Sequence, residues 1–292
     1  MNRIVLTLCV LLAPSVVSGE DTAVKITPDV VYGHKFGLAL TMDVCTPAAN
    51  ANGAGVLFMV SGGWYSNWAP PEKMEAFYKS LTEHGFTVFL VRHGSSPKFS
   101  IPEAVSDVRR SVRFIRKNAA QFQVDPNRLG VYGMSAGGHL SLVLGTTADE
   151  GKADDADPVE TVSDRVQAVV AFVAPTDLRI MVRDAKDRLP AYDRFPALEL
   201  GLTEAEKYSP LAQVTSEDAP SLLLAGDKDD LVPVDHSRRI RDAFAQHQVP
   251  CELVEFPGAG HGLNAEEMKR AQQQMIAWFQ KHLIENTAPA SK

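Results

Sequence analysis

Arg128-Leu129-Gly130-Val131-Tyr132, then Gly133-Met134-Ser135-Ala136-Gly137, then His139-Leu140-Ser141-Leu142-Val143-Leu144 is the stretch whose reading decides the fold. The first segment is an apolar run of strand length, and the last reads as the opening of a helix. Between them lies G-x-S-x-G, a pattern that carries chemistry only between a strand and a helix. A turn this sharp strains the backbone at Ser135, and the flanking glycines let strand and helix come close together. It also pushes the Ser135 hydroxyl out of the sheet toward solvent, where it can act as a nucleophile. Serine alone is a weak nucleophile, so a base and an orienting acid are required.

Both are found downstream. Ser221-Leu222-Leu223-Leu224-Ala225 reads as a buried strand with Gly226-Asp227-Lys228-Asp229-Asp230 as its exit loop. Cys251-Glu252-Leu253-Val254-Glu255-Phe256 reads as another strand, followed by Pro257-Gly258-Ala259-Gly260-His261-Gly262. Serine, aspartate and histidine therefore follow one another, each just past a strand end. That is the chain order of the α/β-hydrolases, and chymotrypsin-like and subtilisin-like enzymes use other orders.

The chain has 292 residues, 45% of them hydrophobic and 22% charged, with a formal net charge of −7. This composition suits a single large α/β domain, and the absence of a basic stripe argues against nucleic-acid binding. Residues 1–19 read as a signal peptide: Asn2-Arg3, the apolar run Ile4–Val17, then the small residues Ser18 and Gly19. The expectation is an exported protein, secreted or periplasmic, with no membrane span in the mature domain of residues 20–292. Cys45 and Cys251 remain after cleavage, each in an apolar strand-like segment where free cysteine is common.

Val24–Tyr32 and Leu38–Val44 read as an opening hairpin joined through Gly33 and Gly37. Gly55–Val60 and Thr87–Val91 are buried strands, with a helix carrying Met74, Phe77, Tyr78 and Leu81 between them. The helix after Pro102 carries the apolar stripe Val105, Val108, Val112 and Ile115. Its other face bears Arg109, Arg110, Arg113, Arg116 and Lys117, a pattern usual for a solvated face. The last stripe is Met268, Ala271, Met275 and Phe279. Such alternation predicts a mostly parallel central sheet with helices on both faces. Asp149–Asp164 reads as an acidic surface loop. Residues 179–208 form an insertion where an α/β-hydrolase places its cap. The small size of this insertion predicts an open cleft for a bulky or polymeric substrate. Its Arg179, Arg183, Lys186, Arg188 and Arg194, with Asp184, Asp187 and Asp193, read as a self-neutralising solvated helix.

The chain resembles the α/β-hydrolase esterases of the acetyl-esterase and hormone-sensitive-lipase type, and most of all the branch with bifunctional feruloyl and acetyl-xylan esterases. Ser61-Gly62-Gly63-Trp64 lies where that family has H-G-G-[GA]-W, and Val91-Arg92-His93 lies near its Y-R-L. Ile101-Pro102-Glu103-Ala104-Val105-Ser106-Asp107 is similar to its F-P-x-A-x-x-D, and Asp125-Pro126-Asn127-Arg128-Leu129 to its D-P-x-R-I. Ala174-Pro175-Thr176-Asp177-Leu178 matches P-T-D-L, and Gly226–Pro233 matches G-x-x-D-x-x-V-P.

Position by position, the resemblance implies Ser135 as nucleophile, Asp229 as triad acid and His261 as base. Asp227 and Asp230 compete with Asp229, because a shift of one or two residues in the loop exchanges them. It also implies an oxyanion hole from the backbone N–H groups of Ala136, Gly62 and Gly63. One departure stands out: Val60 and Ser61 replace the family's His-Gly, whose histidine braces this loop. Trp64, Tyr65 and Trp68 read equally as a stacking subsite for sugars or phenolic acyl groups and as loop anchors. His139 reads as helix packing.

The reading that follows is a serine carboxylesterase acting through an acyl-enzyme on small-molecule or polysaccharide esters, removing acetyl or feruloyl groups. The alternatives are a prolyl-oligopeptidase-like peptidase, a lipase or a lactonase on the same fold. No metal cluster, phosphate loop or dinucleotide fingerprint occurs in the sequence, so neither metal nor cofactor is expected.

Overall fold

The apolar runs become strands covered on both faces, and this fixes the frame that carries the site. In the computed structural model, residues 24–285 apart from Asp187 are described, and the segment read as a signal peptide lies outside them. The strands are β1 (Lys25–Lys35), β2 (Leu38–Thr46), β3 (Gly55–Met59), β4 (Thr87–Val91), β5 (Leu129–Met134), β6 (Ala168–Phe172), β7 (Ser221–Gly226) and β8 (Cys251–Phe256). They form one sheet in the order β1-β2-β4-β3-β5-β6-β7-β8. The β1–β2 and β2–β4 pairings are antiparallel, and β3 to β8 are parallel.

Side chains alternate between two cores with the two-residue period of a strand. Leu57 and Met59 of β3 face one core, and Val56 and Phe58 the other. The first core packs against α2 (Ile101–Lys117), α3 (Ala136–Thr146) and α5 (Asp235–Gln246); the second packs against α1 (Glu75–Thr82) and α6 (Ala265–Phe279). From β3 the chain crosses to β4 on one side of the sheet, then returns past β3 to β5. This reversal opens a crevice at the carboxyl ends of β3 and β5, where open α/β sheets bind ligands.

Two local readings change. Gly33 lies inside β1 at a register shift, and the hairpin turn is Phe36-Gly37 alone. Both turn residues have positive φ, +48° and +79°, the geometry whose twist matches paired strands. The insertion is a chain of 3₁₀ turns (Leu178–Ile180, Pro190–Arg194, Pro196–Leu198) followed by the short α4 (Leu202–Lys207). Pro190 and Pro196 break any longer helix there. Cys45 and Cys251 are both free. Five strands separate β2 from β8, far beyond disulfide reach.

The four arginines on the basic face of α2 are paired with protein partners, and Lys117 alone of that face is exposed. Arg109 binds Asp164, and Arg110 reaches Glu160 at 2.9 Å and Asp157 at 2.7 Å. Arg113 binds Asp149 and Glu160, and Arg116 donates to the carbonyls of Ser163 and Arg165. The acidic segment 149–164 is thus strapped onto α2 by opposite charge, and Asp164 beneath it is fully buried. A buried carboxylate stripped of its nearest cation is costly. Arg109→Leu, with Arg113 left 3.4 Å from Asp164, is expected to lose about 2–3 kcal/mol. Thermal denaturation should show this as a melting-temperature drop of roughly 4–6 °C.

Candidate active site

Gly133 and Gly137 make the turn at Ser135 possible. A Cβ on Gly133 would sit 2.3 Å from the Gly137 carbonyl carbon, and one on Gly137 would sit 2.6 Å from the Met59 carbonyl oxygen. Ser135 itself takes φ +52° and ψ −119°, a strained region for a residue with a side chain. The Ser135 N–H donates to the Phe172 carbonyl of β6 at 2.8 Å, which holds the turn against its neighbour strand.

The three sequence-predicted residues come together. Ser135 Oγ lies 3.0 Å from His261 Nε2, and His261 Nδ1 lies 2.8 Å from Asp229 Oδ2. A carboxylate only accepts, so Nδ1 carries the hydrogen and Nε2 is left to accept from the serine hydroxyl. The second Asp229 oxygen accepts from the backbone N–H groups of Leu231 (2.9 Å) and Val232 (2.8 Å). That leaves the buried carboxylate one orientation. Its competitors face elsewhere: Asp227 accepts from the Gly258 N–H at 2.6 Å, and Asp230 is exposed.

After β3, Gly62 and Tyr65 exchange two backbone hydrogen bonds of 3.0 Å around Gly63 and Trp64, whose φ angles are +57° and +61°. This mirror-image turn occupies the Gly62 N–H, so Gly62 has no backbone donor to offer a ligand, contrary to the sequence reading. Among the described residues the N–H of Gly63 has no protein partner. Ala136 opens α3, where the first N–H groups lack an intrahelical acceptor. Gly63 and Ala136 are therefore the available donors, Ala136 next to Ser135 in the chain and Gly63 two residues past Ser61, whose carbonyl accepts from the Gly137 N–H of α3 at 3.2 Å.

The three aromatic residues divide. Trp64 is 3% exposed, and its Nε1–H donates to His139 Nδ1 at 3.2 Å, so it anchors the turn and has no face for a substrate. His139 in turn donates from Nε2 to the Tyr208 carbonyl at 2.7 Å, linking the turn, the helix α3 and the insertion. Trp68 is 60% exposed, with its indole N–H on Asp29 at 3.2 Å, and stays open to a ligand. Tyr65 is half-buried. Sequence reasoning missed Phe195 of the insertion, whose ring lies 2.7 Å from where a Gly63 Cβ would stand. No local pattern marks that contact. The described residues contain no group of three or more side chains able to hold a metal ion, and no helix long and apolar enough to cross a membrane.

The sheet order, the strained strand-to-helix turn and the serine–histidine–aspartate chain together define an α/β-hydrolase. The chain belongs to the BD-FAE family, which matches residues 42–244. It is 27% identical over 257 residues to the probable carboxylic ester hydrolase LipM of Mycobacterium tuberculosis, covering 85% of this chain and 59% of that one. Endo-1,4-beta-xylanase B of Butyrivibrio fibrisolvens is 26% identical over 211 residues, 71% of this chain and 32% of that protein. The chain thus spans less than two thirds of these relatives. Among solved structures, the acetyl ester-xyloside bifunctional hydrolase of Caldicellulosiruptor lactoaceticus superposes with a TM-score of 0.74 at 24% identity, over 87% of this chain and 95% of that one.

Three buried histidines, His93, His139 and His236, lie around the site. Burial disfavours their charged form and lowers each from 6.5 to about 4. His236 is held neutral in a set tautomer, since Nδ1 accepts from the Thr176 N–H at 3.1 Å. A histidine depressed in the folded state takes up its proton first in the unfolded chain. Its stabilisation is complete above pH 6.5 and is lost as pH falls toward 4. The three together should make stability fall by about 4 kcal/mol per pH unit near pH 5.3, three protons per molecule unfolded. Denaturant melts between pH 7 and 5 would measure that slope, and His236→Asn should reduce it by about one proton.

Proposed function

We propose that the protein is an exported serine carboxylesterase that removes short or aromatic acyl groups, acetyl or feruloyl, from carbohydrate esters. The observation that carries this reading is the relay of Ser135, His261 and Asp229 together with the unpaired N–H groups of Ala136 and Gly63. His261 Nε2 takes the Ser135 proton as Oγ attacks the ester carbonyl, and the tetrahedral oxyanion forms against the two N–H donors. His261 then returns that proton to the departing alcohol, leaving an acyl-serine. Water, deprotonated by the same imidazole, attacks the acyl carbon and releases the acid. Asp229 keeps Nδ1 protonated and stabilises the imidazolium without taking the proton. Each oxyanion donor supplies roughly 3–4 kcal/mol of transition-state stabilisation.

Ester hydrolysis is supported by family membership and by the name of LipM. A carbohydrate alcohol partner is supported by the xylanase and xyloside-hydrolase names of the relatives, and by exposed Trp68, a face on which a sugar can stack. Export rests on the charge and apolar pattern of residues 1–19.

The test is hydrolysis of p-nitrophenyl acetate, butyrate and octanoate, methyl ferulate and acetylated xylan. Ser135→Ala should lower kcat by roughly 10⁶-fold, and Asp229→Asn by roughly 10⁴-fold. Asp230→Asn should stay near wild type. Activity that persists in Ser135→Ala would sink the serine mechanism, and a profile rising to octanoate would replace the carbohydrate reading with a lipase.

A further inference from the structure

Val60-Ser61 leads into the Gly62-Gly63 turn. The structure supplies a brace from another strand. His93, just past β4 and 5% exposed, lies with Nε2 2.9 Å from Ser61 Oγ. Its Nδ1 lies 2.8 Å from the Gly94 carbonyl, which can only accept, so Nδ1 carries the hydrogen. Nε2 is therefore a bare acceptor, and the Ser61 hydroxyl donates to it. The Ser61 carbonyl meanwhile accepts from the Gly137 N–H in the first turn of α3 at 3.2 Å. One residue thus ties the turn carrying the Gly63 donor both to the β4 exit and to the helix carrying the Ala136 donor.

The segment that holds His93 is itself fixed. The His93 N–H donates to Ser66 Oγ at 3.2 Å, the Ser66 N–H to Ser95 Oγ at 3.0 Å, and the Ser96 N–H to the Trp64 carbonyl at 3.1 Å. On the far side, the Gly94 N–H donates to the buried Asp107 carboxylate at 2.8 Å.

We propose that Ser61 and His93 act as one positioning unit that sets the distance between the two oxyanion donors. This rests on the ester-hydrolase reading above. Neither side chain bonds to Ser135, His261 or Asp229, and their contribution is to transition-state geometry. Removing the clamp therefore lowers kcat while leaving the ground-state fit to substrate in place.

A double-mutant cycle on p-nitrophenyl acetate hydrolysis tests it. Ser61→Ala and His93→Leu are each expected to lower kcat by about 10- to 100-fold, the cost of a displaced donor, with KM changed by less than about threefold. The double variant should be no slower than the worse single one, because both break the same link. His93→Gln, which keeps a side-chain acceptor, should recover most of the loss. A trifluoromethyl ketone, trapped as a tetrahedral adduct, should bind Ser61→Ala more weakly by the factor lost in kcat/KM.

Unchanged kcat in Ser61→Ala overturns the proposal, as do losses that multiply in the double variant. Ser61→Ala is a small change that decides the matter even where His93→Leu does not fold. Ser135→Ala run alongside separates the two readings: inactive Ser135→Ala with an undisturbed Ser61→Ala removes the clamp alone. Hydrolysis surviving in Ser135→Ala, or wild type inert to every ester, removes the serine reading and the clamp together.

Discussion

The contact on which the rest depends is backbone against backbone, where Gly133 of β5 meets Gly137 of α3 with no space for a Cβ at either position. It forces the chain to reverse in one residue and leaves Ser135 strained at φ +52°. Strain of this kind persists only where its surroundings over-determine it. Here β6 supplies an acceptor for the Ser135 N–H, and α3 is buried along its whole length. The result is a hydroxyl held above the sheet and an unpaired helix N–H next to it. Both follow from the same turn.

Several short motifs that carry the family resemblance are joints in the frame around that turn. Arg92 closes on Asp43 with two bonds of 2.6 and 2.9 Å, tying the β4 exit to β2. Asp107 holds both Lys35 and the Gly94 N–H. Asp177 takes Arg179 and Arg239, fixing the start of the insertion against α5. Each is a buried carboxylate whose oxygens are matched by donors from distant segments, and leaving one unmatched is expensive. Residues remote from Ser135 in sequence therefore share in the geometry of one site.

The elements that a linear pattern can encode were legible. Apolar runs gave the strands, the helical stripes gave α1, α2 and α6, and the loops after β7 and β8 gave the candidate acids Asp227, Asp229 and Asp230 and the candidate base His261. What stayed hidden depended on partners in space. The basic face of α2 has the pattern of a solvated helix, and only the fold brings the acidic segment 149–164 onto it. The residues alone left Asp227 and Asp230 as competitors of Asp229, which only the resemblance favoured; in the fold the Leu231 and Val232 N–H groups turn the Asp229 carboxylate inward toward His261. Gly62 and Gly63 are indistinguishable in sequence, yet a mirror-image turn occupies the N–H of one and frees that of the other. Trp64 and Trp68 are likewise alike on paper, and burial against His139 separates them.

The histidines show how environment divides one residue type among several tasks. His261 sits partly open between the Asp229 carboxylate and the Ser135 hydroxyl. His93, His139 and His236 are buried and neutral, with Nδ1 or Nε2 assigned by a backbone carbonyl or N–H. A neutral imidazole of fixed tautomer is one donor and one acceptor on a rigid ring, suited to joining two segments at a set distance. His139 joins the Gly62–Tyr65 turn to the insertion in this way, and His93 joins the start of that turn to the β4 exit. The same neutrality makes the frame sensitive to acid. Protonation as pH falls toward 4 would turn the acceptor nitrogens of His139 and His236 into donors facing the N–H groups of Trp64 and Thr176, opening these two joints, whereas the Ser61 hydroxyl can turn and accept from a charged His93.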